Sequence, residues 1–309
     1  MKLQENELKI RELEDKLLNG NLSGELYKSL KDELDKLKEE TYQNLSAWDR
    51  VTIARSSQRP KGLALIEAIL DDFIELKGDQ YYQNDNSVVA GLGFLKDKPV
   101  TIIAQTKGRN LEENILRNFG MTSPEGFRKS LRLAKEAEKF NRPIITIVDT
   151  SGAYPGKGAE ERGQSRAIAS NLMEFMKLEV PVIAIVLSEG GSGGALALTV
   201  SDYIYMFENA IYSVLSPEGC SSILFKNTSN VKEVAQMMKL TSYDLLNYGI
   251  IDEIVKEPLG GMKYISDELK ESLKDSLYNK ICELNKLDKK NLLSLRYQKF
   301  RKIGVSDGN

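Results

Sequence analysis

The chain has 309 residues, 43 Lys and Arg against 45 Asp and Glu for a formal net charge of −2, and 41% apolar residues. This is the composition of an ordinary globular protein with a sizeable core, and its charge balance disfavours generic nucleic-acid binding. There is no histidine, so an imidazole base, proton shuttle or metal ligand from this chain is excluded; the two cysteines, Cys220 and Cys282, form no Cys-x-x-Cys pair and build neither a zinc site nor a disulfide framework.

Residues 1 to 45 predict an N-terminal helical hairpin, with Leu3, Ile10, Leu13 and Leu17 on one stripe and Leu26, Leu30, Leu34 and Leu37 on the next. Asn19 to Gly24 breaks it. From Ser46 to Gly78 the pattern is helical again, interrupted at Pro60, with a long apolar stretch from Leu63 to Leu76. Val88 to Leu95 and Val100 to Gln105 read as strands of a hairpin around Lys96-Asp97-Lys98-Pro99. Pro124-Glu125 starts a helix to Phe140, and Ile144 to Val148 follows as a buried strand. A helix over about Ala159 to Leu178, a strand over Val182 to Leu187, a small-residue helix over Ala195 to Val200 and strands at Tyr203 to Met206 and Ile211 to Val214 complete the pattern. Strands alternating with helices imply an α/β fold with parallel pairing in a right-handed coil. Residues 46–264 read as one domain and 265–309 as a helical extension whose last residues fray. The charged N-terminus and the short apolar runs predict neither a secretion signal nor a membrane span, and a reducing, cytoplasmic compartment is the expectation.

The turn Gly190-Gly191-Ser192-Gly193-Gly194 between a buried strand and a helix is the most informative segment. Residues without bulk let backbone amides approach a ligand, and the first amides of a helix have no intrahelical acceptor, which makes an anion site from main chain alone. A tight packing turn is the bland alternative. A dinucleotide fingerprint fails because Leu196 stands where the third glycine belongs, and a P-loop fails because Gly194-Ala195-Leu196 lacks Gly-Lys-Ser/Thr. Gly190-x-Ser192-x-Gly194 matches a nucleophile elbow, but a serine triad needs a histidine. What survives is an oxyanion hole aimed at an oxygen that gains charge in acyl transfer or in enolate formation from a thioester.

Four segments, Asp149-Thr-Ser-Gly-Ala-Tyr-Pro-Gly156, Gly158-Ala-Glu-Glu-Arg-Gly-Gln-Ser165, Glu189-Gly-Gly-Ser-Gly-Gly-Ala-Leu-Ala197 and Ser216-Pro-Glu-Gly-Cys220, resemble the carboxyltransferase alpha subunit of bacterial acetyl-CoA carboxylase. Gln58-Arg59-Pro60, Lys107-Gly108-Arg109, Arg117 to Met121, Pro124 to Gly126 and Glu257 to Gly261 follow the same family pattern in order, so the likeness spans essentially the whole chain. Ser151, Ser188, Ser56-Ser57 and Lys263 depart from the family's usual wording, away from the glycine pair.

The resemblance implies a crotonase-like (ClpP/crotonase) fold of repeated ββα units. It implies a site shared with a beta subunit in an α2β2 heterotetramer, with a zinc ribbon on the beta chain alone. It further implies carboxyl transfer from carboxybiotin, carried by the biotin carboxyl carrier protein and charged by biotin carboxylase, onto acetyl-CoA, giving malonyl-CoA for fatty-acid synthesis. No covalently bound cofactor, membrane or specific nucleic acid is implied. Gly193 and Gly194 are then the expected backbone oxyanion donors, holding the ureido oxygen as the carboxyl group departs. Gly190, Gly191 and Ser192 share that turn. Gly152, Ala153 and Tyr154 follow the neighbouring strand and are expected to line the same cleft. Lys107 and Arg109 flank a glycine after a strand, as contacts for coenzyme A phosphates or the carrier, or simply as exposed charge. Arg128, Arg132, Lys135 and Lys139 form a basic stripe at helical spacing, either solvated surface or a dock for an acidic carrier. Competing readings are another acyl-CoA carboxylase or a biotin-dependent decarboxylase, and a non-catalytic scaffold whose glycine turn only packs.

Overall fold

The computed structural model describes residues 2–20 and 23–305. Part of the expected break at Asn19 to Gly24 and the expected fraying at the C-terminus fall outside these residues. Helices α1 (Lys2–Asn19) and α2 (Gly24–Tyr42) form a hairpin, burying Ile10, Leu13 and Leu34 between them with Leu17, Leu30 and Leu37 alongside. Helix α3 (Ala47–Ala54) begins with a capping box in which Ser46 and Asp49 satisfy each other's amides. Helix α4 (Gly62–Ile69) follows the Pro60 interruption.

Here the structure departs from the helical reading of Leu63 to Leu76. The helix stops at Ile69, Leu70 is extended, and Asp71–Glu75 is strand β1. Paired acids at Asp71 and Asp72 are poor helix residues, and the free edge of the next strand offers backbone partners. β1 takes them with a register shift between Asp71 and Ile74, where Asp72 adopts φ 50°. Strands β2 (Val88–Leu95) and β3 (Lys98–Gln105) form the expected hairpin, with Val88 opposite Gln105 and Leu95 opposite Lys98.

The chain continues through α5 (Leu111–Leu116), a 3-10 turn at Asn118–Gly120, α6 (Pro124–Lys139), β4 (Ile144–Thr150), α7 (Lys157–Glu161), α8 (Gln164–Phe175), β5 (Val182–Gly191) and α9 (Ser192–Thr199). It closes with β6 (Tyr203–Phe207), β7 (Ile211–Ser213), α10 (Pro217–Phe225), α11 (Val231–Met237), α12 (Ser242–Asn247), β8 (Glu253–Val255), α13 (Asp267–Leu284) and α14 (Lys289–Lys302). Among the described residues the sheet runs β1-β2-β3-β4-β5-β6-β8, with β7 pairing the end of β5. β1, β2 and β3 pair antiparallel, and every pair from β3 onward is parallel.

β4 is buried along its whole length and β5 up to its last residue, as continuous apolar runs between two helical layers require. Leu65, Ile66 and Ile69 of α4 and Leu273, Leu277 and Ile281 of α13 pack with Ile145 and Ile147. The alternate residues Ile144 and Val148 pack with Leu133 and Ala137 of α6, Phe175 of α8 and Leu198 of α9. Each such Leu or Ile contributes about 1.5–3 kcal/mol on burial.

The single helix expected over Ala159 to Leu178 is two. Gly163 takes the left-handed φ of 83°, ending α7 and re-aiming the chain into α8. The extension is locked by Arg296, whose buried guanidinium donates to the Asp202 carboxylate at 2.7 and 2.8 Å and to the carbonyls of Phe175, Leu178 and Val180. The expected basic stripe is largely neutralised. Arg128 pairs with Asp79 and Glu125, Arg132 donates to the Gly78 carbonyl, and Lys135 pairs with Glu174.

Candidate functional site

Two turns meet at the carboxyl ends of β4 and β5, the place where parallel sheets bind ligands. Register fixes their proximity, because Thr150 pairs with Gly190. The β5 turn starts later than the sequence suggests: Gly190 and Gly191 still belong to the strand, and Ser192 is the first residue of α9. Gly193 and Gly194 are therefore the second and third residues of a helix whose first amides have no intrahelical acceptor. Gly193 is half-buried and Gly194 buried.

The glycines differ in what they allow. A Cβ on Gly191 would lie 2.1 Å from the Ser151 carbonyl oxygen, and one on Gly194 would lie 2.6 Å from the Ala153 nitrogen and 2.7 Å from the Gly152 carbonyl carbon. These two positions press the turns together, main chain on main chain. A Cβ on Gly193 would meet only the Ile168 side chain, at 3.6 Å, an ordinary contact. Packing therefore explains glycine at 191 and 194, and not at 193.

Ser192 is exposed and has φ 54°, a conformation costly for a residue with a side chain. The strained strand-to-helix serine has the shape of a nucleophile elbow, yet among the described residues no side chain hydrogen-bonds to its hydroxyl and the sequence holds no histidine. Ser192, Gly193 and Leu196 open onto a mostly apolar cavity of about 710 Å³, walled by Tyr212, Val214, Cys220 and Phe300 among others. On the other side, Gly152 (φ 149°) is buried and Ala153 and Tyr154 are half-buried. The Tyr154 amide donates to the Thr122 carbonyl at 2.9 Å.

Two glutamines that the sequence did not single out hold this arrangement. Gln105, at the end of β3, donates to the Gly194 carbonyl at 2.8 Å and to the Thr122 hydroxyl at 3.2 Å. Gln164, set by the break between α7 and α8, donates to the carbonyls of Thr122 and Tyr154 at 2.8 and 3.0 Å. The sequence signals for Gln164 are its place in the segment Gly158 to Ser165 and the glycine before it.

Lys107 and Arg109, expected as contacts for coenzyme A phosphates or the carrier, or as exposed charge, are separated. Arg109 is exposed and grips Glu113. Lys107 turns inward: its ammonium pairs with Glu189 and lies 3.5 Å from Asp149 Oδ1. Burial opposes its charge, but Asp149 and Glu189 outweigh burial and raise its pKa above the ordinary lysine value. Burial likewise favours a neutral Glu189, while Lys107 and Arg55 together hold its carboxyl below the ordinary glutamate value. Arg55 extends the network, donating to Glu189 at 2.7 Å and to Glu218 of α10 at 2.6 Å.

The profile of the family described as acetyl co-enzyme A carboxylase carboxyltransferase-like matches residues 1–304. The chain belongs to this family. Relatives include the acetyl-coenzyme A carboxylase carboxyl transferase subunit alpha of Bacillus cereus (strain G9842), 50% identical over 96% of this chain and 92% of its own length. The protein of the same description from Staphylococcus epidermidis is 51% identical over 89% of this chain and 90% of its own. Among solved structures, a chain of a Pseudomonas malonate decarboxylase hetero-tetramer in complex with coenzyme A superposes with a TM-score of 0.59 at 15% identity, over 72% of this chain and 87% of that one. Transcarboxylase 12S gives 0.58 at 20% identity over 72% of this chain, which spans 42% of that longer one. These likenesses show the fold of the family member described here: it is the crotonase-like fold shared by carboxyltransferases.

Proposed function

We propose that this chain is the alpha subunit of the carboxyltransferase of acetyl-CoA carboxylase, forming malonyl-CoA for fatty-acid synthesis within a multi-subunit complex. Family membership and relatives of that description at about half identity support the reading. So does the site: a main-chain amide cluster beside an open cavity, with no side-chain base on the glycine turn. Carboxybiotin on a carrier protein supplies the activated carboxyl group, and the beta subunit supplies the rest of the site and its own zinc.

As the N–C bond to the carboxyl group breaks, negative charge builds on the ureido oxygen. The amides of Gly193 and Gly194, preorganised at the start of α9, are the donors for it, with Gly193 the more accessible. The ureido nitrogen freed of its carboxyl takes a proton from the acetyl methyl, and the resulting enolate carbon attacks the released CO2 to form the new C–C bond. One amide donor aimed at such an oxygen contributes roughly 2.7–4 kcal/mol. No histidine is needed for this chemistry, in keeping with the sequence.

The observation that carries the reading is Gly193: half-exposed, on a helix's first turn, at a position where packing does not demand glycine. Co-expression with the cognate beta chain and assay of malonyl-CoA formation against carboxylated biocytin tests it. Turnover by the pair, and none by this chain alone, is expected. Robust turnover by this chain alone contradicts the shared site, and an assembled pair inactive on acetyl-CoA but active on a longer acyl-CoA assigns a different carboxylase. Among the described residues no helix is long and apolar enough to cross a membrane.

A further inference from the structure

Resting on the function proposed above, we infer that Lys107 is a positioning residue that sets the register between the two turns of the site, and not a contact for substrate. Its ammonium bridges the last acidic residue of each strand that feeds a turn: Asp149, two residues before Ser151, and Glu189, two residues before Gly191. Those turns touch main chain to main chain, Gly191 against Ser151 and Gly194 against Gly152 and Ala153. With the backbones in van der Waals contact, sliding β4 against β5 misplaces both sets of amides at once.

Three observations mark the bridge as more than a surface ion pair. Asp149 is fully buried, and among the described residues its carboxylate oxygens have no hydrogen-bond donor, so its charge is offset by Lys107 at 3.5 Å with Lys61 acting from farther away. Lys107 is itself wedged beneath the 3-10 turn, where its Cγ lies 2.8 Å from the place a Cβ on Gly120 would occupy. The Thr150 hydroxyl lies 2.6 and 2.8 Å from the Gly120 and Gly152 carbonyl oxygens, shares its one proton between them and accepts from the Gly152 amide, so the base of the β4 turn is tied to the same point. Arg55 carries the network on from Glu189 to Glu218 of α10, the helix that brings Cys220 to the cavity wall. Lys107 thus acts at a distance from the reacting atoms, through the backbone it aligns.

The test separates alignment from simple stability. In the complex with the beta chain, Lys107→Met should lower kcat about 100-fold, the cost of misplacing a reacting group by about 1 Å, with the KM for acetyl-CoA within about twofold of wild type. Lys107→Met also strands the Asp149 charge, so the second variant is Lys107→Met with Asp149→Asn, which leaves Glu189 paired with Arg55. This double variant should regain thermal stability and keep the low kcat. Hydrogen exchange of residues 150–154 and 190–195 in the same proteins, a readout independent of turnover, should be faster in both variants. A double variant that regains kcat together with stability, or exchange unchanged from wild type in both turns, would overturn the inference. If Lys107→Met alone does not fold, the double variant carries the test. A wild-type pair that transfers no carboxyl group counts against the proposed function, while the exchange measurement still decides the alignment.

Discussion

Gly193 and Gly194 are adjacent, yet a methyl group added to each should have opposite consequences for stability. In Gly194→Ala the new Cβ falls 2.6 Å from the Ala153 nitrogen and 2.7 Å from the Gly152 carbonyl carbon, where ordinary contacts begin near 3.4 Å. Both neighbours are main chain, so the turns must part by up to about 1 Å. A displacement of that size costs about 100-fold in rate, or about 2.7 kcal/mol of transition-state stabilisation. In Gly193→Ala the methyl group meets Ile168 at 3.6 Å without crowding, the amide is retained, and helix propensity favours alanine by up to about 1 kcal/mol. The assay is malonyl-CoA formation by the assembled pair, normalised to folded complex, with thermal unfolding alongside. Gly194→Ala should lose about two orders of magnitude in kcat together with thermal stability, and Gly193→Ala should be no less stable but should lose kcat through the methyl group it places in the ligand's approach. Equal losses of stability in the two variants, or full activity in Gly194→Ala, would refute the packing argument.

Acid should weaken the fold through the buried Glu189 and Glu125. Glu189 and Glu125 are held below the ordinary glutamate value because Lys107 with Arg55, and Arg162 with Arg128, outweigh the cost of burial. Their stabilisation is complete above the unfolded-state value of 4.5 and is lost as pH falls through the lower folded-state values. Unfolding temperature should be flat above about pH 5.5 and fall below 4.5, less steeply in Glu189→Gln. Arg296→Leu should cost about 3–5 kcal/mol in urea unfolding by stranding the buried Asp202 carboxylate; a loss under about 1 kcal/mol would show that the lock on the last helix is not needed. Gln164→Leu should cost about 1–3 kcal/mol by leaving the Tyr154 carbonyl unpaired, with kcat reduced more than stability alone explains; unchanged kcat would remove the side chain from the site's support.

The parts of the fold legible in the sequence are those set by local pattern. The hydrophobic runs of β4 and β5 announce buried parallel strands, the charged turn at Lys96-Asp97 closes a hairpin, and the glycines mark a strand-to-helix turn, although the helix begins at Ser192 and not at Ala195. What was not legible depends on tertiary partners. Asp71–Glu75 sits in an apolar stretch that reads as helix and becomes strand only because the edge of β2 is free to pair with it. Gly163 splits a helix so that Gln164 can reach across to the Tyr154 turn, a purpose no local periodicity expresses. The same holds at the site. The glycine turn was visible as a motif, but which glycine serves packing and which leaves room for a ligand depends on where Ser151, Gly152 and Ala153 lie. Lys107 reads from the sequence as a substrate or carrier contact or as exposed charge, because its two carboxylate partners are distant in sequence and meet it only at the strand ends.

In the proposed function, main-chain amides at the start of α9 hold the ureido oxygen of biotin. A structure of the assembled alpha–beta complex with biocytin bound tests it most directly. That oxygen should lie about 2.7–3.1 Å from the nitrogen of Gly193 or Gly194, with Gly193 open to the cavity. Biocytin seated elsewhere, with both amides already bonded to protein carbonyls, would contradict it.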